Sequence, residues 1–134
     1  MKPETATYLD DANQHLEKAR RILAIDICDQ AARLAYHAQF HAARALIFEC
    51  TGGAAKTHKG VRRLFHKLAK AEPGLNQGLA RGLTNAYRYK ELADYETGMA
   101  STVTAAEAGA AIAAAEHFVA EVTRVLIPST TPGP

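Results

Sequence analysis

The sequence predicts an all-α fold, an antiparallel bundle of five helices joined by short loops. Apolar residues recur at three- and four-residue steps along the chain, and no stretch shows the period-two alternation of a strand. Glycine, proline and capping residues separate the periodic stretches. Nearly half of the 134 residues are hydrophobic, but alanine supplies much of that share and tryptophan is absent. Small side chains let helices approach closely, which a thick sheet sandwich does not need.

The first helix is expected over residues 3–24, where Leu9, Ala12, Leu16, Ala19 and Leu23 form one stripe behind Pro3. Asp26 or Asp29 is expected to cap the second, which runs to residue 50 and stops at Thr51-Gly52-Gly53. Thr57 reads as the cap of a third helix through Leu64, Phe65, Leu68 and Ala69, closed by Pro73-Gly74. The fourth is expected over residues 75–92 with Leu75, Leu79, Leu83, Ala86 and Tyr87 inward, and residues 94–101 form an irregular connection. Thr104 and Glu107 form a capping box that opens the fifth helix. Its expected inward residues are Ala110, Ala113, Ala114, His117, Phe118, Val122 and Val125. This makes one domain over residues 1–127, followed by a disordered tail, residues 128–134, of sequence PSTTPGP.

No apolar run reaches the roughly 20 residues that cross a bilayer. The polar, acidic start MKPETATYLDD does not read as a secretory signal, so the expected location is cytoplasmic with no membrane partner. Cys28 and Cys50 lack metal-binding spacing and are expected as buried reduced thiols. The net charge of +2 conceals an asymmetry: residues 56–90 hold nine Lys/Arg against Glu72 alone, while residues 91–134 hold Arg124 against six acids. Such a basic middle segment attracts phosphate, or else complements an acidic helix of the same bundle or of a partner.

The second helix carries two faces. On a wheel of about 100° per residue, Ala31, Leu34, Ala35, Ala38, Ala42, Ala45 and Leu46 fall on one side. Tyr36, Phe40 and Ile47 fall roughly opposite, interleaved with Arg33, His37, His41 and Arg44. A peripheral helix needs one apolar stripe, so the second face is expected to meet a second copy or another partner. Two uses compete for it: base stacking on the aromatic residues, or packing in an interface, which is favoured.

The runs AYHAQFHAARALIFECTG, KTHKGVRRLF and YKELADY resemble small prokaryotic members of the HEPN superfamily, and the likeness extends from the first helix to about residue 125. The resemblance implies a HEPN-like helical bundle that homodimerises. It also implies a role as an RNA-cleaving toxin of a toxin–antitoxin pair, or as an accessory domain beside a small nucleotidyltransferase.

RNA-cleaving relatives carry Arg, four to six residues, then His. Here Arg33 and His37 have three residues between them, Arg33 and His41 seven, and Arg62 and His66 three. At the matching place stand Lys90 and Tyr95, with Asp94 between them. Tyrosine, with an ordinary pKa near 10, is a poor proton shuttle at neutral pH. The expectation is therefore a module that binds RNA, a nucleotide or a nucleotidyltransferase-type protein without the standard ribonuclease chemistry. The alternative is a divergent, metal-independent ribonuclease toxin using Lys90, Asp94 and Tyr95. Those three equally suit a structural hydrogen-bond corner.

The start of the third helix is the other candidate, with Lys56, His58, Lys59, Arg62 and Arg63 placed to hold an anion. It is not a Walker loop, because Gly52-Gly53 precedes Lys56 at the wrong spacing. A capped helix with a solvated basic first turn is the plain alternative. His37 and His41 share one helix face but lack an adjacent carboxylate or third ligand, so neither a metal nor another cofactor is expected.

Overall fold

A computed structural model describes residues 1–76, 78–95 and 103–127, the side chains of Tyr89 and of residues 92–95 excepted. Its helices are α1 (Pro3–Ala24), α2 (Cys28–Thr51), α3 (His58–Ala71), α4 (Gly78–Tyr95) and α5 (Ala105–Leu126). There is no strand among the described residues. The expected tail, residues 128–134, and most of the expected irregular connection lie outside the described residues.

α2 is the central helix and touches each of the other four. Seven of its alanines are essentially unexposed, and that smooth surface lets α1 and α5 lie against its backbone. The expected α1 stripe is present: Leu9, Ala12, Leu16 and Ala19 are buried, with Leu23 half-buried. Thr5 is buried too, and its hydroxyl donates to Glu49 at 2.9 Å. The Lys2 amide donates to the same carboxylate oxygen, so the end of α2 ties down the start of α1.

Several expectations change. Neither Asp26 nor Asp29 caps α2: its cap position is Ile27, with no side-chain hydrogen bond. Asp26 instead turns the chain at φ 62°, a left-handed conformation that aspartate tolerates better than most residues. α4 starts at Gly78 rather than residue 75, because Asn76 turns the chain first. Its side chain accepts from the Gly78 amide at 2.7 Å and its carbonyl from Leu79 at 3.0 Å. Leu75 is still buried, as an anchor ahead of the helix. α4 also continues through Asp94 and Tyr95, where a connection was expected, since no glycine or proline lies between Leu92 and Gly98. Cys50 is exposed and Cys28 half-buried, both free, so the buried-thiol expectation fails at the α2 terminus.

α5 is rotated relative to its expected stripe. Phe118 and Val122 point inward as expected, and Val125 is half-buried. Ala110, Ala113, Ala114 and His117 are exposed, and Ala108, Ile112, Ala115 and Val119 are buried in their place. A run of alanines carries almost no facial contrast, so its periodicity cannot set the rotation. The capping box at Thr104 is formed in both directions, at 3.0 and 3.1 Å.

Thr57 caps α3 as expected, accepting from the Gly60 amide at 2.9 Å. A Cβ on Gly60 would lie 2.8 Å from that capping hydroxyl. Thr57→Ala should therefore cost about 1 kcal/mol in a denaturant titration. Gly60→Ala should also destabilise, although alanine is the better helix former. The double variant should cost less than the two singles together, because both act on one cap. Additive losses would show that Gly60 is not constrained by Thr57.

Candidate functional site

The start of α3 and the residues just before it divide their charges between water and the bundle. Lys56, Lys59 and Arg63 are exposed, whereas His58 and Arg62 are half-buried against α2 and α4. Thr57 sets this rotation, because the cap fixes where the helix begins and Val61, Phe65 and Ala69 anchor its inner face.

Tyr36 of α2 is 0% exposed and lies between the two inward residues. Its hydroxyl lies 2.8 Å from Nδ1 of His58, placed to donate, and the Arg62 guanidinium is near enough for its charge to act on the phenol. Burial pushes the phenol above its ordinary range, and the Arg62 charge only partly opposes that, so Tyr36 stays neutral. The His58 ring lies 4.6 Å from Phe40 and 5.6 Å from Tyr87. The Arg62 guanidinium sits 4.0 Å from the centre of the Tyr87 ring, with Lys90 Nζ at 5.5 Å from the same ring. Nη1 of Arg62 is buried with no hydrogen-bond partner among the described residues.

A second layer continues along α2 toward α1. His15 lies 4.8 Å from His41 and 6.0 Å from His37. Arg44 sits 4.5 Å from the centre of the Tyr8 ring and donates to its hydroxyl at 3.2 Å. The pKa values of His37 and His41 are both lowered from 6.5 to about 4, chiefly by burial. The positive charge of Arg33 next disfavours protonation of His37, and His15 that of His41. Both rings are therefore neutral at neutral pH. No group of three His, Cys, Asp or Glu suited to a metal ion occurs among the described residues.

The second face of α2 is thus placed differently from the sequence expectation. Tyr36, Phe40 and Ile47 are 0%, 7% and 1% exposed within this one chain. These three present no surface to a second copy and no open platform for a base. Arg33, His37, His41 and Arg44 are half-buried around them.

Lys90 joins the α3 cluster through Tyr87. Asp94 and Tyr95 lie in the last turn of α4, with side chains outside the described residues. Sequence reasoning missed Tyr8 and His15, which reach α2 from α1, and treated Tyr87 only as core. A polar or aromatic residue beside a helix's apolar stripe is the signal that could have found them. The arrangement combines guanidinium and ammonium charges with the neutral His37 and His41 on an aromatic base. It can hold a phosphate by charge and hydrogen bonds, and it offers little room for stacking.

The family model described as HEPN domain matches residues 5–125. No curated protein matches the chain. The structure is similar to the crystal structure of TT1696 from Thermus thermophilus, with a TM-score of 0.75 at 21% sequence identity. That likeness covers 92% of this chain and 98% of the other, and it concerns the fold.

Proposed function

Because the chain belongs to the HEPN domain family, we propose that it is an RNA-binding module that holds the phosphate backbone at the start of α3 without cutting it. The observation that carries this reading is the cationic start of α3, where Lys56, Lys59 and Arg63 are exposed beside Arg62. The Arg62 guanidinium lies 4.0 Å from the centre of the Tyr87 ring, half-buried at the start of α3. Exposed Lys56, Lys59 and Arg63 beside that inward guanidinium suit phosphate oxygens. Phosphate contacts carry no sequence information, and the burial of Tyr36 and Phe40 removes them as base platforms. The expected recognition is therefore indifferent to sequence.

The same reading includes association with a second copy or a nucleotidyltransferase-type protein. Such contacts would fall on the rim residues Arg33, His37, His41 and Arg44 rather than on the buried aromatics. No described helix is long and apolar enough to cross a membrane.

The test is retention of labelled single-stranded RNA by purified protein in EDTA, with binding and chain length scored together across a salt series. Binding should fall steeply with salt, with a log–log slope that decreases by about 0.7 for each phosphate contact removed. Lys59→Ala/Arg63→Ala should weaken binding about tenfold with the RNA intact. These residues are exposed, so the loss cannot be ascribed to unfolding. Cleavage abolished by Lys90→Ala or Tyr95→Phe would replace this reading with the ribonuclease alternative. No retention even in low salt would assign the basic surface to a protein partner.

A further inference from the structure

α2 is enclosed on nearly every side, yet one strip of it still reaches water. Between residues 31 and 48 every residue is buried except Arg33, Leu34, His37, His41, Arg44 and Phe48, which are half-buried. Apart from Leu34 these follow at steps of four, four, three and four residues, so they fall within about 80° of arc. The two arginines stand eleven residues apart, about 16 Å along the helix axis.

α1 borders the strip. The Arg44 guanidinium lies 4.5 Å from the centre of the Tyr8 ring, and that ring lies 6.2 Å from Phe48. His15 lies 4.8 Å from His41, and the Asp11 charge acts on His41 in the middle of the row.

This composition suits a protein partner. Tyrosine and arginine anchor protein contacts, whereas lysine is depleted in them, and the strip contains no lysine. A phosphate chain would draw on cations along its whole length, but the two central positions are histidines that carry no charge at neutral pH. Nor does the strip suit itself. A two-fold contact would set the arginines of one copy against those of the other, which like charges oppose. A helix from another protein rises by the same step per residue, so acids eleven residues apart on one of its faces would meet both arginines.

We propose that this strip docks a helix of another protein, with one carboxylate facing Arg33, a second facing Arg44, and uncharged side chains over the histidines between. The proposal rests on the part of the functional reading that gives these rim residues to a protein contact, and it is independent of RNA retention at α3.

Two alanine-rich helical peptides test it, one with Glu at two positions eleven residues apart and one with Gln at both. Each is titrated into the full chain at low salt and followed by fluorescence anisotropy. The Glu peptide should bind, and the Gln peptide about tenfold more weakly. That comparison alters only the peptide, so it does not depend on a variant folding. Arg33→Gln and Arg44→Gln should each weaken the Glu peptide about three- to fivefold, whereas Arg21→Gln, at an exposed position of α1, should not. Arg33→Glu should lose the Glu peptide and regain binding when Lys replaces one of its two Glu residues. Equal binding of the Glu and Gln peptides, or no binding at about 1 mM, would overturn the proposal. So would displacement of the Glu peptide by single-stranded RNA in Lys59→Ala/Arg63→Ala, which would make the strip a phosphate surface. A dimer that dissociates in Arg33→Gln would overturn it too, giving the strip to a second copy. Peptide binding and RNA retention are read separately, so either can fail alone.

Discussion

Phe65→Ala is expected to destabilise the protein by about 3–5 kcal/mol, the range for removing a fully buried aromatic ring from a packed core. Phe65 is completely buried on α3, and its ring centre lies 5.0 Å from that of Phe118 on α5. α3 otherwise packs on α2 and α4, so this ring pair is what reaches from α3 across to α5. Its loss should free α3 before the rest of the bundle. Denaturant titration should report the global loss, and amide exchange should show lost protection concentrated in α3. RNA retention should fall with it, because Arg62 and His58 depend on the rotation of α3. Phe65→Leu keeps much of the volume and should cost clearly less. A loss below about 1 kcal/mol for the alanine variant would show that the pair is not closely packed.

Acid should weaken the fold well above the pH at which its carboxylates titrate. The unfolded chain binds protons on His37 and His41 near pH 6.5, whereas the folded chain resists until about pH 4. Between those values the unfolded state carries more protons, so stability falls as pH is lowered through that window. Above it, both states are neutral and the contribution is complete. A tenfold difference in proton affinity between the two states corresponds to about 1.4 kcal/mol. Both rings are only half-buried, and screening brings the expected total for the two to about 2–3 kcal/mol. The lowered carboxylate pKa values of Glu49, Glu107 and Glu121 act in the same direction, but only once the pH falls below about 4.5. Denaturation midpoints between pH 7.5 and pH 5 therefore isolate the histidines. His37→Asn/His41→Gln should flatten that slope, and an unchanged slope would assign the acid response elsewhere.

Local chemistry was readable wherever a signal involves only neighbours along the chain. The α1 stripe, the Thr57 cap and the Thr104–Glu107 box are short-range patterns, and each stands where the periodicity and capping residues place it. The rotation of α5 was not readable, since alanines at residues 110, 111, 113, 114 and 115 give every face the same hydropathy. The α4 start shifted for a related reason: Leu75 is apolar and buried, but the Asn76 turn holds it outside the helix.

The candidate site divides in the same way. That Lys56, His58, Lys59, Arg62 and Arg63 gather at one helix start follows from their order in the chain. Which of them face water does not. Arg62 and His58 turn inward because α2 supplies Tyr36 and α4 supplies Tyr87, residues 26 and 25 positions from Arg62. Likewise, His15 meets His41 only because α1 and α2 pack side by side.

By itself, the sequence determined the class of fold, the helical stretches, the position of the cationic cluster and the lack of the Arg–His spacing used by RNA-cleaving relatives. Only the tertiary structure decided what covers α2. Its second face looked like a surface for a partner because one helix's own pattern cannot report how many neighbours it has. With four helices around it, the face of Tyr36, Phe40 and Ile47 is closed by the chain itself. The same enclosure leaves the amide oxygen of Gln39 buried without a hydrogen-bond partner among the described residues.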